Sequence, residues 1–275
     1  DRDQLRLFPG PRPGEFNNKP RFYQHIQDGR DGDHWTDAYP GLCDVHPSGR
    51  PIPPSCAFAD PNQDRAPLDA LQATCGMIGH IDHQVGRLLH LLEERGDSGN
   101  TIVVFASDHG EYHGHHGLHG KGLPAYEDCQ RVPCLVWAPG LVPARGSVDA
   151  LLNTAGLPLS LLRMAGIEPA AGMQGHDHSA YWRGLSDAEQ EATLIENRAT
   201  AHSIYQTTLV TGRHKLVSYR DDDDWELYDL QEDPDQYQNL WRQNGHHKLK
   251  QQLMTCLIRT RMRLESCVAP RHAFA

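Results

Sequence analysis

From Pro67 to Gly96 the side chains of Leu71, Ile78, Ile81, Val85, Leu88, Leu89 and Leu92 recur at helical spacing. The proline suits a first helical turn, where its missing N–H is no loss, and the glycine suits the position just past the last turn. A few residues on, Thr101-Ile-Val-Val-Phe-Ala106 is short, β-branched and nearly all apolar. Such a run fits a strand buried on both faces, as in a parallel sheet covered by helices. A long amphipathic helix that feeds a buried strand is the grammar of a layered α/β domain.

The rest of the chain extends that grammar and then departs from it. Cys134-Leu-Val-Trp137 is a second apolar run, stopped by Pro139-Gly140, and residues 157–165 read as a helix ended at Gly166. After about residue 191, Thr193–Glu196, Ile204–Val210, His214–Tyr219 and Glu226–Leu230 read as short strands joined by tight turns, Gly212 marking one. A last helix is expected over residues 246–264. Residues 1–66 are rich in proline and glycine and poor in periodicity, which suits an irregular connection inside a longer protein. The expected divisions are therefore 1–66 as that connection, 67–190 as an α/β unit, and 191–275 as a small α+β unit with a helix and tail. Asp221–Asp224 is the one charge run, and it reads as a solvated turn.

Composition enters as a set of exclusions. A formal net charge of −10 and a pI near 5.9 leave no basic surface for nucleic acid. No apolar run approaches the roughly 20 residues that cross a bilayer, so no membrane segment is expected. The chain starts at Asp1 and shows no signal-peptide core, which leaves the compartment open. Seven cysteines without a C-x-x-C pair argue against a disulfide framework or a zinc knuckle. Cys75 and Cys134 lie in apolar runs and read as small core residues.

Chemistry concentrates in Ser107-Asp-His-Gly-Glu-Tyr-His-Gly-His-His-Gly-Leu-His-Gly-Lys121-Gly. The segment begins where the expected buried strand ends, the usual place for a ligand site in an open α/β sheet. Adjacent strand residues point to opposite faces, so Asp108 and His109 can share one ion only if the strand has just ended. Gly110 supplies the freedom to turn. A carboxylate with an imidazole suits a divalent cation: Ca²⁺ or Mg²⁺, with Mn²⁺ or Zn²⁺ tolerated. The crowd of His113, His115, His116 and His119 has no spacing that enforces a second metal site, and it reads as a polar lining of the site's mouth.

Asn100-Thr-Ile-Val-Val-Phe-Ala-Ser-Asp-His-Gly-Glu, the glycine- and histidine-rich loop, Lys121, Tyr126-Glu127, Arg131-Val-Pro133 and Pro139-Gly140 together resemble the second half of the sulfatases, which belong to the alkaline-phosphatase superfamily. The resemblance runs over roughly residues 67–240 in family order. It takes in Ile81-Asp82 with Val85-Gly86, Ala165-Gly-Ile167, Gln174-Gly175, Lys215-Leu-Val217 and Glu226-Leu-Tyr-Asp-Leu230. Asn17-Asn-Lys-Pro20 is similar to a segment of the branch with choline sulfatases and phosphonate monoester hydrolases. The resemblance implies an incomplete alkaline-phosphatase-like α/β sheet covered by helices, with a small C-terminal antiparallel α+β subdomain. It implies Asp108 and His109 as ligands of one divalent cation, Ca²⁺ first and Mn²⁺ or Mg²⁺ as alternatives. Lys121 matches the lysine that contacts the ester's anionic oxygens, and His116 and His119 are the candidates for substrate contact.

The family's nucleophile is a formylglycine made from the first residue of a C-x-[P/A/S]-x-R motif early in the protein, and nothing before residue 67 resembles it. The expectation is a C-terminal part of the enzyme, with formylglycine in a preceding part and no activity of its own. Cys267-Val-Ala-Pro-Arg271 fits the string but comes after every other motif, so it is expected to be an exposed tail. Where the family shows Asp-Leu-x-Pro-Thr, this chain has Ala155-Gly-Leu-Pro158-Leu159, a departure that bears on the helix there. The expected reaction is hydrolysis of a small anionic sulfate ester. The alternatives are a phosphodiester or phosphonate monoester hydrolase on the same scaffold, or a non-enzymatic metal-binding module built on the histidines.

Overall fold

The computed structural model describes residues 19–20, 66–118, 120–122, 124–144, 146–187, 190–198 and 205–264. The irregular connection expected over residues 1–66 and the tail with Cys267 lie almost wholly outside them. Helix α1 covers Ala66–Glu94. It ends as the sequence suggests, with Gly96 at φ +72°, its N–H donating to Glu93 and that of Asp97 to Leu92. The apolar stripe is present but only partly covered: Ile78, Ile81 and Leu88 are exposed, Ile78 and Leu88 about 60%, while Leu71, Val85, Leu89 and Leu92 are half-buried. Cys75 lies exposed on the same helix, which corrects its reading as a core residue.

Strand β1, Val103–Ala106, pairs with β2, Cys134–Trp137, in an antiparallel register that sets Val103 opposite Trp137. The parallel, doubly buried sheet expected from the sequence is corrected here. A parallel partner needs a crossover of a dozen or more residues, usually through a helix. The segment from 107 to 133 is long enough for one but folds back on itself, with a 3₁₀ turn at His115–Gly117 and a four-residue helix, α2, at Glu127–Gln130. One face of the pair packs Ile102 and Val136 against Ala138, Met164 and Trp182. Met164 ends α3 (Leu157–Met164) and Trp182 ends α4 (Ser179–Trp182). The other face leaves Phe105, Leu135 and Trp137 exposed. Despite the departure at Ala155–Leu159, α3 forms: Asn153 Oδ1 caps the 3₁₀ turn Thr154–Gly156 by accepting the Ala155 N–H at 2.7 Å, and α3 follows directly with Pro158 in its first turn.

The C-terminal strands form an antiparallel meander in the order β3 (Ala192–Arg198), β4 (Tyr205–Thr211), β5 (His214–Tyr219) and β6 (Glu226–Asp229). Leu194, Leu209, Leu216 and Leu227 point to one face and bury against Leu253 and Leu257 of helix α5, His247–Leu264. The opposite face is buried as well, which is why β5 shows no exposed alternate residue. By strand alternation that second face carries Lys215, Glu226 and Tyr228, with Lys215 directly opposite Tyr228. Asp221–Asp224 forms the solvent-facing β5–β6 turn, where Arg220 pairs with Asp221 and Arg242 with Asp224.

Candidate active site

Directly after β1 the chain leaves the strand, and Asp108 and His109 fall on one side. Asp108 accepts the His109 N–H at 3.0 Å on Oδ1, and its side chain is 83% exposed. That amide, with the Asp108 amide, holds the carboxyl below the usual carboxylate range, so it is ionised at neutral pH. The His109 ring donates through Nδ1 to the Gly110 carbonyl at 2.8 Å, leaving a lone pair on Nε2 in the neutral ring. Nε2 lies 3.4 Å from Asp108 Oδ2 and 2.6 Å from Lys121 Nζ. The fold thus returns Lys121 to the adjacent pair Asp108 and His109, which precede it by 13 and 12 positions.

Gly110 is required for a reason other than the turn expected of it. Its φ is not positive, but a Cβ there would stand 1.8 Å from the Asp128 carbonyl oxygen. The loop lies backbone against backbone on α2, with Gly110 N–H donating to Cys129 O at 2.8 Å and Glu111 N–H to Asp128 O at 3.0 Å.

The histidine loop is mostly folded inward. His115 Nδ1 bonds both oxygens of Asp128 at 2.8 and 2.9 Å. His116, expected at the substrate, is fully buried and stacked on Tyr126 at 3.7 Å. The expected polar lining of the mouth is corrected for both: these rings fix the loop from within. Tyr112 is buried beside them, its hydroxyl donating to Pro124 O at 2.6 Å, and this closes the arc that returns Lys121 to His109. His119 lies outside the described residues. Among the described residues His115, His116 and Asp128 are the one trio of possible metal ligands close together. The two imidazoles are tilted, 4.0 Å between centroids and 30° between planes, and one ligand atom from each of the three residues falls within 4.8 Å of the others.

Behind α2 lies a buried polar network that sequence reasoning missed. Lys215, with no exposed surface, donates to Ala125 O at 2.8 Å and pairs with Glu127 Oε1 at 2.5 Å. Burial pulls the Lys215 pKa down, and Glu127 opposes it. Gln236, held at φ +59°, accepts the Glu127 N–H at 2.8 Å. Lys19, 1% exposed, reaches the Gln236 carbonyl at 3.1 Å, the Tyr228 hydroxyl, and Glu226 at 3.8 Å. Tyr219 and Tyr228 both donate to Glu226. The one available signal was Lys215 itself, a charge in a strand where every neighbour reads as buried.

Asp108, His109 and Lys121 face an open cleft whose walls include Arg131, Asn153 and Trp182. Behind the Trp182 wall His178, 3% exposed, stacks on that indole, and its Nε2 makes no hydrogen bond. Burial, with His176 nearby, holds its pKa down at about 4. The donor set at the near side fits a divalent cation. It pairs an ionised, exposed carboxylate with an imidazole nitrogen whose other nitrogen is fixed by a backbone carbonyl, the usual support of a metal-bound histidine. The 3.4 Å gap between Oδ2 and Nε2 is that of neighbouring ligands on one ion.

A family model for sulfatases matches residues 20–167, and a model for the C-terminal region of N-sulphoglucosamine sulphohydrolase matches residues 114–263. The chain is 29% identical to an N-acetylglucosamine-6-O-sulfatase of Bacteroides thetaiotaomicron, over 66% of its own length and 33% of the relative's. It resembles a solved structure in complex with its substrate D-glucosamine-2-N,6-O-disulfate, with a TM-score of 0.62 and 28% identity over 68% of this chain and 39% of that one. A phosphonate monoester hydrolase of Silicibacter pomeroyi shares the fold at a TM-score of 0.74 and 19% identity, over 97% of this chain and 52% of that one. The chain spans about a third of the length of the curated relatives it matches.

Proposed function

Because the chain belongs to the sulfatase family, we propose that it serves the hydrolysis of sulfate esters by holding a divalent cation and neutralising the anionic ester. One observation carries this reading: Asp108 Oδ2, His109 Nε2 and Lys121 Nζ meet in one open cleft. Asp108 and His109 are the proposed ligands, with Ca²⁺ the first candidate and Mn²⁺ or Mg²⁺ alternatives. When bound, such an ion supplies a Lewis acid for the nucleophile and the ester oxygen. Lys121 brings an ammonium to the same place, where it stabilises charge that grows on the departing group's oxygens. Asp108 stays ionised because two backbone amides face it, so the pair keeps its negative charge at neutral pH. The carbonyl of Gly110 keeps the His109 proton on Nδ1 and the lone pair on Nε2, where it accepts from Lys121 Nζ and where a cation would take the ammonium's place.

Calorimetric titration with Mn²⁺ or Ca²⁺ tests the reading directly. One site is expected, lost in Asp108→Ala and in His109→Ala and kept in His113→Ala. Binding that survives Asp108→Ala but needs His113 and His115 would favour a metal-binding module instead. Paired rates on a chromogenic sulfate and a chromogenic phosphodiester, measured on a protein carrying both this chain and the nucleophile, separate sulfatase from phosphodiesterase.

A further inference from the structure

Helix α2 is a single turn of four residues, too short to persist by its own hydrogen bonds. Its place is set from outside, and most directly by the second face of the C-terminal sheet. Lys215 of β5 grips the turn's entrance twice, through the Ala125 carbonyl and the Glu127 carboxylate, while Gln236 takes the Glu127 N–H. The next residue, Asp128, uses its carbonyl to receive the Glu111 N–H. That N–H belongs to the same peptide unit as the Gly110 carbonyl, and it is this carbonyl that accepts the His109 Nδ1 proton. A peptide unit is planar and rigid. One flat plate is therefore fastened to α2 on one edge and orients the His109 imidazole on the other. No side chain can cushion the joint, because Gly110 has none and a Cβ would strike Asp128 O.

We infer that Lys215 is a positioning residue for the Asp108–His109 pair, acting through Glu127, α2 and the Gly110–Glu111 peptide; this rests on the proposed cation-binding role of that pair. The Lys215 ammonium bonds Ala125, Glu127 and Gln236, not Asp108, His109 or Lys121, and it fills no role in the β5 ladder, which uses backbone groups alone. Its burial is otherwise costly, since a buried ammonium must be matched by partners placed to receive it. Those partners are the entrance of α2. The charge is thus sited where it sets how far the turn stands from the sheet, and with it the aim of His109 Nε2.

Lys215→Met tests this, because it keeps the length and burial of the side chain while removing the grip. The probe is Mn²⁺ alone, and two quantities are read on the whole chain: Mn²⁺ affinity, and the tautomer of His109 from its ring ¹⁵N shifts. The parent should show the Nδ1-protonated form. Lys215→Met should weaken Mn²⁺ binding about tenfold, the lower scale for loss of an outer support of a metal ligand, and mix the tautomers. Glu127→Gln, which keeps an acceptor for Lys215 but not the charge, should fall between and serves as the second reading if Lys215→Met does not fold. Leu253→Ala loosens the opposite, apolar face of the same sheet and should change neither quantity while the chain is folded. Parent-like affinity and tautomer in folded Lys215→Met, or an equal loss in Leu253→Ala, overturns the inference. A parent that ignores Mn²⁺ but still loses its tautomer in Lys215→Met would sink the cation reading and leave the positioning role standing.

Discussion

At Gly110 a single missing methyl decides whether the site can exist. The Asp128 carbonyl occupies the space a Cβ would take, 1.8 Å away, so Gly110→Ala must push the loop off α2. Overpacking of this kind costs about 1–3 kcal/mol. The expected outcome is a lowered melting temperature together with lost Mn²⁺ binding. Asp108→Ala should separate the two effects: the side chain is exposed, so stability should shift by less than about 0.5 kcal/mol while turnover in a complete enzyme falls about 10²-fold or more. A melt of the purified variant beside its titration checks this. Lys121→Ala should likewise reduce kcat/KM and spare the melt; unchanged kinetics would make it an ordinary loop lysine. The end of β1 at Ala106 was readable from its apolar run, and with it the place of Asp108 and His109; Lys121 drew notice only through the family resemblance, because a lone lysine in a glycine-rich loop carries no local signal of its own. The need for Gly110 was legible but its cause was not, since the atom that excludes a side chain lies 18 residues away. His116 misled for a related reason: nothing in a glycine-rich loop says which imidazole turns inward, and here the face of Tyr126 decides it.

Among the elements, α3 and α4 are joined through His178, and their junction should respond to acid. His178 donates its backbone N–H to Ser160 Oγ of α3 at 2.8 Å and stacks on Trp182 of α4. Its pKa falls from an ordinary 6.5 to about 4 on folding, chiefly by burial. The unfolded chain therefore takes up a proton below about pH 6.5 that the folded chain refuses until about pH 4. The contribution to stability is fully present above 6.5 and declines as pH falls toward 4, by about 3 kcal/mol in all. Denaturant melts at pH 7.5 and 4.5 should show that decline in the parent and a smaller one in His178→Leu; parallel profiles would remove His178 as the cause. Most element boundaries were readable to within a residue or two, α1, β5 and α5 among them, because helical and strand periods differ over such lengths. The mutual direction of β1 and β2 was not. Two apolar runs look alike whether parallel or antiparallel, and the connection that settles it, α2, is too short to leave a periodic signature.

For the whole molecule the contrast lies between a well-filled C-terminal sheet and a partly covered N-terminal pair. The sheet buries both faces, one in leucines against α5 and one in the network around Lys215 and Glu226. The β1–β2 pair leaves Phe105, Leu135 and Trp137 open, and α1 leaves Ile78, Ile81 and Leu88 of its stripe exposed. Contiguous apolar surface of this kind invites association. The chain should bind an apolar dye and scatter light at rising concentration, and Leu135→Lys should reduce both without lowering the melting temperature. An unchanged scattering curve would show that this face is not what associates. No helix among the described residues is long and apolar enough to cross a membrane. Trp225, just before β6 in the chain, and Trp241, after it, stack at 5.1 Å and 25°. Two indoles that close share their electronic excitation, so the pair should give a paired positive and negative band in circular dichroism. That band reports β6 in place and nothing else, an internal optical gauge by which loosening of the sheet can be followed separately from events in the cleft.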